Sequence, residues 1–178
     1  MVTAKFLVQF LTAALLSLSH ATPYHSKRSS SAVPQVLLDN GLSIQGTINS
    51  TTPNVKQYLG IPYAQPPLGD LRFAPPKPYI ATNRTVINGT ILPPSCMQYI
   101  TKIPSMVTEE VPQFEIGSAG MSEDCLTISV WTPADAEGLP VVIWFYGGGF
   151  TTGGTDVPYQ MPDQWVERSQ KHIVVVFK

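Results

Sequence analysis

Apolar residues in this chain gather in short runs separated by proline and glycine, the spacing of strands rather than of long amphipathic helices. Val36-Leu37-Leu38 and Leu42-Ser43-Ile44 flank Asn40-Gly41, a pair that favours a tight hairpin turn, so the segment from 36 to 48 predicts an antiparallel ribbon. Residues 55–60 predict a short strand entering a proline-rich crossing loop, and residues 126–131 alternate as another strand. Residues 141–145 and 173–177 are continuous apolar runs, the pattern of strands covered on both faces of a parallel sheet. Between them, Pro162 in a first turn, Asp163 near the amino end, Trp165-Val166 on one face and Lys171 at the far end predict a short helix. Strand, glycine loop, helix and strand make a βαβ crossover. The fold class expected is α/β, with antiparallel hairpins leading into a mostly parallel central sheet. Prolines clustered at 62–67, 75–78 and 93–94 imply long ordered loops and low helix content.

Composition narrows the function classes. With 43% hydrophobic and 13% charged residues over 178 positions, the chain has the makings of one folded core. A net charge of −1 without a basic stripe gives no electrostatic means of capturing nucleic acid or an anionic membrane, so neither is expected as a partner. No cofactor and no metal site is expected, and there is no internal repeat.

The amino terminus carries Lys5, an apolar run from Phe6 to Leu18, and then Ser19-His20-Ala21, with small residues where a signal peptidase cuts. Residues 1–21 therefore read as a secretion signal cleaved after Ala21. The run is short for a membrane span, which leaves an amino-terminal anchor as the alternative. Residues 22–32 read as a linker or short pro-segment, in which Lys27-Arg28 is either a processing point or solvated polar chain. A domain spanning 33–178 follows. Asn49-Ser50-Thr51, Asn83-Arg84-Thr85 and Asn88-Gly89-Thr90 are acceptor sequons for glycosylation on a secretory route.

Candidate chemistry centres on Val141-Val142-Ile143-Trp144-Phe145-Tyr146-Gly147-Gly148-Gly149-Phe150, an apolar strand that breaks into three glycines. Removing three side chains in succession lets peptide N–H groups converge on a small negative group with no Cβ in the way. Tight turns and phosphate loops use the same device, so the glycines alone leave those alternatives open.

Two further segments come in order before it: Leu59-Gly60-Ile61-Pro62-Tyr63-Ala64-Gln65-Pro66-Pro67-Leu68-Gly69-Asp70-Leu71-Arg72-Phe73, and Ser122-Glu123-Asp124-Cys125-Leu126-Thr127-Ile128-Ser129-Val130-Trp131-Thr132-Pro133. With the glycine loop, they closely resemble the amino-terminal portion of the type B carboxylesterase/lipase family, the cholinesterase-like branch of the α/β-hydrolases. The resemblance runs from about Val33 to about Phe177, and is strongest to secreted fungal esterases through Gly153-Gly154-Thr155-Asp156 and Gln164-Trp165-Val166.

The resemblance implies a serine carboxylesterase acting on small-molecule or lipid esters through an acyl-enzyme, with the backbone N–H groups of Gly148 and Gly149 as oxyanion donors and Gly147 permitting the turn. Tyr146 stands where histidine is commoner in the family. A third donor normally follows the nucleophile, in a Gly-x-Ser-x-Gly elbow that no stretch of these 178 residues contains. Gly117-Ser118-Ala119-Gly120 lacks the required spacing and reads as a decoy. His20 falls in the signal and His25 in the linker, while His172 reads as a surface residue, so no histidine is placed to act as base. Family order puts serine, acid and histidine beyond Lys178, which predicts a truncated, inactive fragment of a hydrolase domain. The runner-up is a non-catalytic recognition or adhesion protein of the same fold.

In an oxidising compartment the two cysteines can form one intramolecular bridge, Cys96–Cys125, and the family carries the same bridge. The resemblance also pairs Arg72 with Glu123. No tryptophan lies between Cys96 and Cys125, which removes support for choline specificity. Tyr99 and Phe114 fit an apolar mouth or the core of the disulfide loop equally well.

Overall fold

The computed structural model describes residues 33–81, 85–100, 103 and 106–178. The expected signal and linker, with Lys27-Arg28, and the sequon asparagine Asn83 lie outside the described residues. Among those described, no helix is long and apolar enough to cross a membrane.

The chain opens with a hairpin, as the Asn-Gly pair requires. Strands β1 (Gln35–Leu37) and β2 (Ser43–Gln45) pair antiparallel with Val36 opposite Ile44, and Gly41 takes φ +81° in the turn. Strand β5 (Val86–Asn88) adds parallel to β2. A five-stranded sheet forms the centre, in the order β3-β4-β8-β10-β9. It comprises β3 (Thr47–Ile48), β4 (Val55–Pro62), β8 (Thr127–Pro133), β9 (Val141–Trp144) and β10 (Ile173–Phe177). Strand β4 is longer than its sequence pattern predicts. It continues through Gly60, whose φ of +68° coincides with a register shift between Tyr58 and Ile61 against β8. Strands β6 (Ser95–Cys96) and β7 (Met121–Ser122) form a separate parallel pair at the base of the disulfide loop.

Alternation along β4, β8 and β10 supplies two apolar clusters. Val55, Leu59, Trp131, Val174 and Val176 pack with Val166 of the helix Asp163–Ser169, and Trp131 sits directly opposite Val174 in the ladder. Leu42, Ile44, Tyr58 and Ile61 form the second cluster, beneath the opening hairpin. Trp131 is fully buried, and the apolar gain of burying an indole, on the order of 3 kcal/mol, is reduced by about 1–3 kcal/mol because its Nε1–H has no acceptor among the described residues.

Five sequence expectations change. The parallel centre consists, among the described residues, of one pair, β9 with β10, while β10 meets β8 antiparallel. Strand β9 forms the sheet edge, so Val141, Ile143 and Trp144 are exposed rather than covered on both faces. In the crossover helix, Pro162 is the N-cap, Arg168 provides the basic last turn, and Gln170 ends the helix at φ +52°, which leaves Lys171 outside it. Val166 is buried, but Trp165 next to it points away from that core and is half exposed, stacking on His172 with ring centroids 4.2 Å apart. Adjacent helix positions lie about 100° apart, so with Val166 centred on the core the Trp165 side chain is turned to its margin. His172 is accordingly buried rather than on the surface, its Nδ1 2.9 Å from Ser169 Oγ.

Candidate active site

Strand β9 delivers the chain into the glycine loop, and two glycines there are required by sterics. A Cβ on Gly148, at φ +143°, would lie 1.8 Å from the Thr152 carbonyl oxygen, and one on Gly153, at φ +112°, would lie 2.4 Å from the Gly147 carbonyl oxygen. The loop is thus folded flat on itself. Its internal bonds converge on one acceptor, the Gly148 carbonyl, which receives the N–H groups of Thr151 and Thr152 at 3.1 Å each and the Thr151 hydroxyl at 3.0 Å. Among the described residues, no carbonyl or side chain accepts from the N–H of Gly148 or Gly149. Phe150, next in the chain, is fully exposed at φ +60°, a conformation that costs a bulky residue about 1–2 kcal/mol.

Two cavities of about 610 Å³ each border the loop. One is lined by Phe145, Tyr146, Gly148, Gly149 and Phe177, the other by Tyr99, Phe114, Ile116, Gly148 and Val157. Tyr99 and Phe114 therefore stand at a cavity mouth, exposed, with Phe114 packed on Tyr159 at a centroid distance of 4.4 Å. Gly117, Ser118 and Ala119 line a different cavity, with Gln57 and Asp156.

Burial, and secondarily the Asp156 carboxylate, pushes the Tyr146 phenol above its ordinary range, so the group stays a neutral donor at physiological pH. Burial lowers the Lys178 ammonium to about 8, partly opposed by Asp156. Lys178 Nζ donates to the carbonyls of Pro93 and Pro94. Asp156 itself is buried, accepting the Ser95 hydroxyl at 2.6 Å on Oδ1.

The disulfide loop approaches the glycine loop through two features. Cys96 and Cys125 are bonded, with Cα atoms 5.2 Å apart across 29 positions of sequence. Two residues on, the Gln98 side chain forms a two-way bond with Gly153: its Oε1 accepts the Gly153 N–H at 2.8 Å, and its Nε2 donates to the Gly153 carbonyl at 2.8 Å. Sequence reasoning passes over Gln98 and Ser95 and gives Asp156 no role beyond its motif, because no spacing in the chain announces contacts across 55 and 61 residues. Arg72 Nη2 lies 2.7 Å from Glu123 Oε1.

A family model described as the carboxylesterase family matches residues 32–178. The chain belongs to the carboxylesterase family. Relatives in the family include a chlorogenic acid esterase of Aspergillus niger, 43% identical over 139 residues that cover 75% of this chain and 27% of the relative. They also include secreted lipase 5 of Gibberella zeae, 41% identical over 137 residues, 69% of this chain and 26% of the relative. Among solved structures, the crystal structure of Aspergillus niger EstA superposes with a TM-score of 0.64 at 28% identity, over 84% of this chain and 26% of that one. The fold is therefore the amino-terminal part of an α/β-hydrolase carboxylesterase, and the chain spans about a quarter of the length of these relatives.

Two sequon asparagines of this carboxylesterase-family chain are exposed in turns closed by their own threonines. Asn49 Oδ1 accepts the Thr51 N–H at 3.0 Å and its hydroxyl at 3.1 Å, and Asn88 Oδ1 accepts the Thr90 hydroxyl at 2.6 Å.

Proposed function

We propose that this chain is the amino-terminal part of a secreted serine carboxylesterase, and that the N–H groups of Gly148 and Gly149 hold the oxyanion of the tetrahedral intermediate. The observation that carries the reading is that these two donors border an open cavity and have no intramolecular acceptor among the described residues. Unspent N–H groups at a steric minimum bind negative charge as it develops on an acyl carbon, and each such donor lowers the barrier by about 3–4 kcal/mol. The fungal relatives named a chlorogenic acid esterase and a secreted lipase support carboxylic esters as the substrate class and secretion as the route.

The rest of the mechanism needs a nucleophile and a base that these residues do not offer. No Gly-x-Ser-x-Gly occurs in the sequence, and His172 is buried against Trp165 and Ser169 instead of facing the glycine loop. The 178 residues by themselves are accordingly inactive in this reading, and the acyl-enzyme forms on a serine from the following part of the protein. Asn49, Asn83 and Asn88 carry glycans after passage through the secretory route.

The test is to read the coding sequence that follows Lys178 and assay the whole protein on p-nitrophenyl butyrate. A Gly-x-Ser-x-Gly elbow with hydrolysis that is lost on Ser→Ala exchange is the expected result. Absence of both the elbow and the activity would overturn the esterase assignment in favour of a recognition protein of the same fold.

A further inference from the structure

We infer that Gln98 is a positioning residue for the oxyanion loop, a side-chain clamp through which the disulfide loop sets the direction of the Gly148 and Gly149 N–H groups. The inference rests on the oxyanion reading and extends it to a residue outside the loop. The Gln98 amide makes two antiparallel hydrogen bonds with the Gly153 peptide, both 2.8 Å, and its Nε2 also donates to the Cys96 carbonyl at 3.1 Å. It replaces the neighbouring strand that the loop lacks. Gly153 in turn lies against the start of the glycine triplet, so close that a single added methyl group would sit 2.4 Å from the Gly147 carbonyl oxygen. Fixing Gly153 therefore fixes the Gly147–Gly148 peptide, whose N–H is the first of the two donors, while the bonds from Thr151 and Thr152 to the Gly148 carbonyl hold the Gly148–Gly149 peptide, whose N–H is the second.

The anchorage is covalent two residues away. Cys96 is tied to Cys125, and β6 pairs with β7, so the backbone that carries Gln98 is held at its base by a disulfide and a strand pair. The chemistry of the clamp is specific, because one planar group must both donate and accept at fixed spacing. A neutral amide does this, and so does a neutral carboxylic acid. A carboxylate can only accept, and a thioether cannot donate and accepts only weakly.

This gives a test with a signature that a packing role would not produce. In the whole protein, Gln98→Met keeps the side chain's volume and loses both bonds. We expect kcat for p-nitrophenyl butyrate to fall about tenfold or more, with KM within about twofold, since misplaced donors weaken the transition state rather than ground-state binding. Gln98→Glu is impaired at pH 7.5, where its carboxylate meets the Gly153 carbonyl. Its activity relative to wild type rises severalfold as pH falls toward about 4.5 and the acid form, with an ordinary value near 4.3, regains the donor. Tyr146 and Lys178 line the same cavity and the Asp156 carboxylate acts on both, but all three are common to variant and wild type, so their contributions cancel in the ratio. The Gln98→Met ratio stays flat across the same range.

Amide hydrogen exchange at Thr151, Thr152 and Gly153, the hydrogen-bonded amides of the loop, supplies the second readout, about tenfold faster in Gln98→Met with exchange in β4 and β8 unchanged. If the wild-type protein hydrolyses no ester, the esterase reading fails and the exchange measurement alone decides the clamp. Unaltered exchange, an unaltered kcat in a protein that does hydrolyse esters, or a Gln98→Glu ratio independent of pH would each overturn it.

Discussion

Arg72 Nη2 and Glu123 Oε1 are 2.7 Å apart and join the end of the proline-rich crossing loop to the stem of the disulfide loop, 51 positions later in the chain. Both side chains remain open to water, at 58% and 36% exposure, and the guanidinium also lies 5.2 Å from the centre of the Phe73 ring. The contact is long-range in sequence and weak in energy, since exposed pairs contribute about 0.2–1 kcal/mol and are screened by salt.

Replacing Arg72 by Ala should therefore lower stability by less than about 1 kcal/mol, with the deficit vanishing in 1 M salt. Urea denaturation of the two proteins at low and high salt measures it. A salt-independent loss above about 2 kcal/mol would mean that the pair is buried in solution.

The bridge from Cys96 to Cys125 closes 29 positions and should carry far more. Removing it with Cys96→Ser and Cys125→Ser together is expected to cost about 3–4 kcal/mol by loop-closure entropy. The midpoint of urea unfolding reports the loss, and the Gly153 amide should exchange faster in the same variant because Gln98 is released from its anchored stem.

Substitutions in the glycine triplet should rank by geometry. Gly148→Ala places a methyl group 1.8 Å from a backbone oxygen, which only refolding of the loop can relieve. Gly149→Ala meets open space and bears only the cost of its φ of +60°, about 1 kcal/mol. In the whole protein, kcat should fall by about 10²-fold or more for Gly148→Ala and distinctly less for Gly149→Ala. Equal losses in a stopped assay of ester hydrolysis would contradict the loop geometry.

Alkaline titration tests three phenols that the fold partly desolvates. Partial burial raises Tyr58, Tyr63 and Tyr146, with a smaller contribution to Tyr63 from the Tyr146 phenol and to Tyr146 from the Asp156 carboxylate, so each holds its proton in the folded state at a pH where the unfolded chain has lost it. The folded state then binds more protons than the unfolded one above about pH 10, and stability must fall as pH rises through that region. Phenolate absorbance should show a late component that shrinks in Tyr146→Phe and merges with the main transition in denaturant.

Much of the fold is legible along the chain because its causes are local. The hairpin at Asn40-Gly41 follows from turn chemistry, and β8, β9 and β10 follow from runs of apolar, β-branched residues, so each element can be placed without knowing its neighbours. The glycine triplet is equally plain, and the motifs around it lead to the family whose model spans residues 32–178. Less legible is which side of each element meets the core. Trp165 and His172 illustrate this: a tryptophan in a short helix and a histidine before a strand have no fixed burial until the helix is seated over β8 by Val166.

The sequence by itself determined the opening hairpin, the strands near 55–60, 126–131, 141–145 and 173–177, the glycine loop at 147–149 and the presence of two cysteines, since these depend on residues within a few positions of one another. Tertiary structure alone decided that Gln98 grips Gly153, that Asp156 accepts Ser95, and that β9 stands at the edge with its apolar face open. Those relationships link residues up to 61 positions apart, where the pairing is fixed by how sheets, loops and the disulfide pack in space, and hydrophobic period and turn chemistry carry no information about it.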